Sequence, residues 1–219
     1  MNICIPYQND HHNGTELLYS IRSLVKHLRC LEKVILVGDL PTWYKGDHIP
    51  LRDIPIRREY SMYVKAMAAA KQYNLSEFLY TTDDHFCLTD FDETLPNYYT
   101  SDCKSKALNS NSGRYRKLYA NCPEGWLNYD CHVPIVMRPF AYSSTRNETD
   151  TPIKSTYANP AGVTGTSIVD CKFFNNHSYD QIKAIISTKQ FFSTSPFSQN
   201  KDMMRLFDEL YPEKSKYEK

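Results

Sequence analysis

The sequence has no excess of charge of either sign: 26 Lys plus Arg stand against 25 Asp plus Glu. That balance excludes a global electrostatic pull toward nucleic acid or a membrane surface. It has no C-x-x-C pair either. The seven cysteines (Cys4, Cys30, Cys87, Cys103, Cys122, Cys131, Cys171) are odd in number and scattered, which argues against a disulfide framework and a zinc site and fits a reducing cytosol. No apolar run reaches spanning length, and the opening MNICIPYQND has no charged start and soon turns polar. Neither a membrane span nor a signal peptide is therefore expected, and the expected location is cytoplasmic. On that expectation the N-x-S/T sequons at Asn13, Asn74, Asn147 and Asn176 carry no glycosylation meaning. No G-x-G-x-x-G and no P-loop occur, so dinucleotide-binding and ATPase readings lose their main signals. No internal repeat is visible.

What is present is an alternation of strand and helix signals. The 219 residues suffice for one domain with a sizeable core. Ile3 to Pro6 reads as a first strand, and Leu17, Leu18, Ile21, Leu24, Val25 and Leu28 recur at helical spacing. Asn13 and Glu16, three apart, suit the N-cap and N3 of that helix. Val34 to Val37 makes a second buried strand, stopped by Gly38, Asp39 and Pro41. A second helix is expected from Tyr60 to Tyr73, then a third strand in EFLYTT, residues 77–82. This order describes right-handed βαβ units and a mostly parallel sheet flanked by helices, an α/β fold. The second half is less regular. Residues 102–118, DCKSKALNSNSGRYRKL, carry Lys104, Lys106, Arg114, Arg116 and Lys117 against Asp102, and read as a mobile basic loop, either a solvated connection or a lid for something anionic. Ser143 to Gly165 reads as a second loop region, and Ser178 to Ser187 and Ser198 to Tyr211 read as helices.

Glu77 to Phe86, EFLYTTDDHF, is the candidate stretch for chemistry. Phe78, Leu79 and Tyr80 form a continuous apolar run, as in a parallel strand buried on both faces. Asp83, Asp84 and His85 then lie beyond its carboxyl end, where open α/β sheets bind ligands. The cluster is a candidate for a divalent cation; the alternative is an Asp-rich turn capping the next segment. Tyr7, Gln8 and Asp10 lie just beyond the first strand and Asp39 at the end of the second, where a base and ribose would dock. His11 and His12 read as solvated. His177 is either a third metal ligand or a surface-turn residue.

As a set these residues resemble a known family. The run TELLYSIRSLVKHLRCLEKVILVGDLPTWYKG followed by EFLYTTDDHF is similar to the second conserved region of the Stealth sugar-phosphate transferases. NYDCHVP, residues 128–134, and YPEKSKYEK, residues 211–219, resemble its later H-x-P and closing P-x-x-S-x-F-E segments. Glu16, Tyr19, Ser20, Arg22, Ser23, Asp39, Pro41, Trp43, Asp83, Asp84, His132, Pro134, Pro212, Ser215 and Glu218 match. The chain departs from the family at its first strand, where an acidic V-D-G end is replaced by Ile5, Pro6, Tyr7 and Gln8.

The same residues resemble the wider GT-A glycosyltransferase fold, a Rossmann-like sheet that binds a nucleotide-sugar and ends a buried strand in D-x-D. The resemblance implies one domain over residues 1–219, with residues 1–100 as the nucleotide-sugar half and residues 101–219 as an irregular acceptor-side half. It implies a metal at Asp83, Asp84 and His85, with Asp83 and His85 as the outer pair. Histidine favours Mn²⁺ over Mg²⁺, or a site in which only the aspartates bind. Arg58 and Lys65 would add positive charge for a UDP or GDP leaving group. Asp130 and His132, two apart and so on one face of a strand, are the candidates for taking the acceptor's proton. Trp126 and Tyr129 are a sugar-stacking wall or ordinary packing. The expected activity is glycosyl transfer from a nucleotide-sugar to an acceptor hydroxyl on a glycan, a protein, a small molecule or a hydroxylated DNA base. Sugar-phosphate transfer and a non-catalytic carbohydrate- or nucleotide-binding module are the alternatives. The composition and small size suit a phage-like source.

Overall fold

The computed structural model describes residues 1–9, 14–55, 58–92, 95–139 and 151–219. Its central sheet joins β1 (Asn2–Tyr7), β2 (Lys33–Gly38), β3 (Asp47–Ile49), β4 (Phe78–Tyr80) and β7 (Ile135–Met137), in the order β3-β2-β1-β4-β7. All neighbours are parallel except β4 and β7, which pair antiparallel with Tyr80 opposite Ile135. Two helices flank the sheet, α1 (Thr15–His27) and α2 (Arg58–Gln72). Strand residues alternate between them. Ile3, Ile5, Val34, Leu36 and Leu79 pack with Leu17, Ile21 and Leu24 of α1. Cys4, Ile35, Val37, Phe78 and Tyr80 pack with Ala66, Ala69 and Ala70 of α2. Both faces are covered, and so the strands read as unbroken apolar runs.

The second half builds on that sheet. A two-stranded pair of β5 (His85–Cys87) and β9 (Phe191–Ser193) packs with α6 (Tyr179–Ile186) and α7 (Lys201–Leu210) around Phe86, Phe192, Leu206 and Phe207. A second small pair joins β6 (Tyr98–Tyr99) and β8 (Thr166–Ser167). Among the described residues no helix is long and apolar enough to cross a membrane.

Three expectations change. Helix α1 starts at Thr15 behind Gly14, whose φ of 71° is left-handed, while Asn13, the expected cap, lies outside the described residues. The segment expected as a mobile basic loop forms α3 (Cys103–Asn109) and α4 (Gly113–Ala120) instead. Asp102 accepts from Ser105 N at 2.7 Å and Ser112 from Tyr115 N at 3.5 Å, capping each helix, while Cys103, Ala107, Tyr119 and Cys122 bury a seam between them with Trp126 against it. Lys104, Arg116 and Lys117 are exposed and Arg114 pairs with Glu59 of α2 at 3.2 Å, while the buried seam sets the helices. Ile153–Ala158 forms a short helix, α5, inside the expected second loop, of which 143–150 lie outside the described residues.

The motif helix α1 ties the two halves together. Ser20 Oγ donates to His85 O at 2.7 Å, Ser23 Oγ accepts from Cys87 N at 3.1 Å, and Tyr19 Oη bonds the Asp208 carboxylate. Arg22 grips Glu218 through Nε at 2.9 Å and Nη2 at 2.6 Å, and Nη1 donates to Tyr211 O. The side chains of Arg22 and Glu218 are only 12% and 4% exposed. Glu218 also accepts from Ser215 N at 2.7 Å, and Tyr217 stacks on Tyr44. Residues of three separated motif segments thus make one structural lock. Arg22→Met, which strands a buried carboxylate, is expected to cost about 3–5 kcal/mol in denaturant-measured stability; a loss below about 1 kcal/mol would show that the pair behaves like a surface ion pair.

Candidate active site

Parallel strands end at a common edge, and β1, β2 and β4 deliver Gln8, Asp39 and Thr81 to it. Asn9 N donates to Asp39 Oδ2 at 2.7 Å, bridging the first two strand exits. Gly38 holds a φ of 132°, and a Cβ there would lie 1.9 Å from Tyr7 O, so the exit of β2 requires glycine. Tyr7 is buried and its hydroxyl donates to Asn9 Oδ1; Gln8 and Asp39 are exposed at the edge, and Asp10, His11 and His12 lie outside the described residues. Lys65 is buried, donating to Tyr7 O at 3.0 Å and pairing with Asp53 at 2.8 Å, which makes it a brace for this edge. Arg58 is exposed at the start of α2.

After β4 the chain makes a tight polar turn. Thr81 N continues the ladder to Cys4 O, and Thr82 Oγ1 donates to Asp84 Oδ1 at 2.6 Å. His85 opens β5 with its ring turned inward, 3% exposed. Its Nδ1 lies 3.0 Å from Thr81 Oγ1 and its Nε2 2.9 Å from Thr82 Oγ1. Burial, and then the charge of Lys154, hold this imidazole well below its ordinary pKa, so it is neutral. Asp84 Oδ2 takes the Lys172 ammonium at 2.8 Å, with 19% of the Asp84 side chain and 16% of Lys172 exposed. Burial opposes the charge on Asp84, but the neighbouring positive charge, which is that of Lys172 once His85 is neutral, keeps the carboxyl far below the usual range. With His85 neutral, Lys172 is the balancing charge. Asp83 sits half-buried in the same turn.

The expected metal set therefore does not fit a divalent ion. Both ring nitrogens of His85 and both carboxylate oxygens of Asp84 have partners, and among the described residues no group of three or more His, Cys, Asp or Glu is arranged to hold a metal. The D-x-D analogy made His85 the third position of a metal-binding triplet; the turn at residues 83–84 and the new strand point its ring into the core instead.

The pair Asp130 and His132 is divided for a similar reason. Residues 130–134 are not a strand. Asp130 caps α5, accepting from Lys154 N at 3.0 Å, Ser155 N at 2.8 Å and Ser155 Oγ at 2.6 Å. His132 faces the edge. The antiparallel pairing of β7 sets the residues before it beside the end of β4, and the His132 ring stands perpendicular to His85 at 6.1 Å between centroids. Its Nδ1 donates to Asp170 Oδ2 at 2.6 Å, and its backbone N donates to Asp170 Oδ1 at 3.1 Å. Burial works to raise the Asp170 carboxyl, but the hydrogen bonds from His132 lead the effects that bring it down to about 2. Lys154, buried, donates to Cys131 O and Val133 O at 2.7 Å each, fixing the turn on either side of His132.

Sequence reasoning missed Asp170, Lys172 and Lys154; the D-x-K spacing of the first two put both on one segment, but nothing local pairs them with residues 38 or 88 positions away. Glu16 was read as a helix-start residue and is also a neighbour of the site. It is buried, Thr194 Oγ1 donates to it, and burial, then Asp84, raise its pKa to about 8. Trp126 and Tyr129 are packing residues: Tyr129 is buried with its hydroxyl on Val163 O at 2.7 Å. His177 stacks edge-on against Phe173.

Among solved structures the chain is similar to the galactosyltransferase LgtC, determined in complex with donor and acceptor sugar analogs: the TM-score is 0.52 at 12% identity, covering 98% of this chain and 96% of that one. It also matches the apo form of the glycosyltransferase GlyE of Streptococcus pneumoniae TIGR4, with a TM-score of 0.40 and 13% identity over 96% of this chain and 59% of that one. The first likeness shows the fold, a mixed α/β architecture with a mainly parallel sheet, of GT-A type. No protein-family model matches the sequence, the Stealth family included, and no curated protein matches it.

Glu16 gives a pH signature. Its folded pKa of about 8 exceeds the ordinary value of 4.5, so its contribution is full below pH 4.5 and is lost as pH rises through 8. Thermal melts across that range are expected to show Glu16→Gln gaining on the wild type as pH rises; parallel curves would mean that Glu16 is ionised throughout.

Proposed function

We propose that the chain is a glycosyltransferase that moves a sugar from a nucleotide-sugar to an acceptor hydroxyl. One observation carries the reading: the His132–Asp170 pair, 2.6 Å apart, stands at the carboxyl edge of a sheet whose fold matches a sugar-transferring enzyme across nearly the whole chain. Ligands of open α/β sheets bind at that edge.

The chemistry assigns roles. An ionised Asp170 can only accept, so it holds the His132 proton on Nδ1 and leaves Nε2 as the basic nitrogen. In transfer the acceptor oxygen forms a bond to the sugar C1 and its proton passes to Nε2. The bond from C1 to the phosphate oxygen breaks, and its electron pair leaves with the nucleoside diphosphate. Asp170 stabilises the imidazolium that results, and Lys154 holds the turn that aims the ring. Asp39 and Gln8, exposed at the ends of β2 and β1, are the proposed contacts for base and ribose, with UDP- and GDP-sugars as the first donors to test.

Transfer of the sugar as its phosphate is the second reading. It rests on the resemblance of separated segments to the Stealth family, and the matching residues Arg22, Ser215 and Glu218 of those segments meet in one structural lock. Product mass separates the two, since retained phosphate means phosphotransfer. The decisive test is release of nucleoside diphosphate from a panel of nucleotide-sugars. His132→Ala is expected to lower transfer about 10²–10⁴-fold, the usual share of a general base. Asp170→Asn is expected to lower kcat with little change in donor affinity, because it disturbs tautomer and ring orientation. Wild-type protein that binds nucleotide yet releases none would make the chain a binding module instead.

A further inference from the structure

We infer that the Lys172 ammonium, seated on Asp84, receives the donor's diphosphate without a divalent cation. The inference rests on the nucleotide-sugar reading above and specifies how that site meets phosphate.

Lys172 stands where the acidic turn would otherwise hold a cation. It occupies one carboxylate oxygen of Asp84 at 2.8 Å while Thr82 occupies the other at 2.6 Å. A divalent ion on Asp84 would have to expel the lysine, and to recruit His85 it would have to break the two threonine contacts that hold a ring only 3% exposed. The lysine is held in place from its own segment. Residue 172 bridges to Ser193 of β9, Phe173 N donates to Ser193 O at 2.9 Å, and the ammonium sits 5.9 Å from the centre of the Phe174 ring.

An ammonium has three N–H donors, and the bond to Asp84 uses one. The side chain is 16% exposed, and its ammonium is bonded to Asp84. The carboxylate offsets one charge, fixes the direction of the group, and leaves the remaining donors for phosphate oxygens. Position supports the same role. Asp170 and Lys172 lie two apart on one segment, the first holding the proposed base and the second this cation, so the proton acceptor and the charge that meets the leaving group are built together. A fixed positive group in a half-buried site stabilises the developing negative charge of a departing diphosphate.

Calorimetric titration of the whole chain with UDP and with GDP, in EDTA and again in MnCl₂, tests this. The expected result is one affinity in both buffers, within about twofold, and a loss of about tenfold or more in Lys172→Met that Lys172→Arg largely avoids. Binding that appears only with manganese and is abolished by EDTA overturns the inference while leaving the nucleotide-sugar reading in place. The absence of binding in either buffer overturns both. The wild-type comparison stands even if Lys172→Met proves unstable, and melting curves of both variants identify that case.

Discussion

A carboxylate that is four-fifths buried at the end of a strand cannot keep its charge without a counter-charge, and Asp84 is such a group. The partner it finds is Lys172, 88 positions away. Much of the second half follows from that need. Thr194 N bonds Asp84 O, Lys172 bridges to Ser193, and the same strand pairs with the one that His85 opens. The irregular half is therefore organised around the polar exit of β4, and its charged residues are placed by compensation.

Other buried cations are compensated by counter-charges or by carbonyl groups. Lys154 finds two carbonyls, and Lys65 finds a carbonyl and Asp53. Arg22 finds Glu218 from the far end of the chain. Each ties elements distant in sequence, so charge and architecture are coupled. His132 is held from both sides, by Lys154 through the backbone and by Asp170 through the ring. The ring and the turn that carries it are thus both fixed, the preorganisation that the proposed proton transfer calls for.

Several features were legible in the residues because their causes are local. The unbroken runs at Ile3–Pro6, Val34–Val37 and Phe78–Tyr80 required a doubly covered sheet, and helical spacing located α1, α2, α6 and α7. The place of residues 83–85 just beyond a buried strand was also legible, while His132 was singled out by its resemblance to an H-x-P segment and not by any strand end. The basic segment misled because its charges dominate the composition, while the helices of 103–109 and 113–120 are set by caps and by four small or aromatic buried residues. Asp130 misled because strand alternation was assumed where the chain makes a turn, leaving its carboxylate to cap a helix.

Neighbouring residues alone specify the sheet, its flanking helices and the polar character of its strand ends, because hydrophobic period and strand-end polarity are local properties. The partners of those polar groups are set by the folded chain. Whether His85 faces a ligand or a pair of threonines, and whether Asp84 meets a metal or Lys172, depends on partners brought together by folding. Burial strengthens such pairings, and it makes their absence costly.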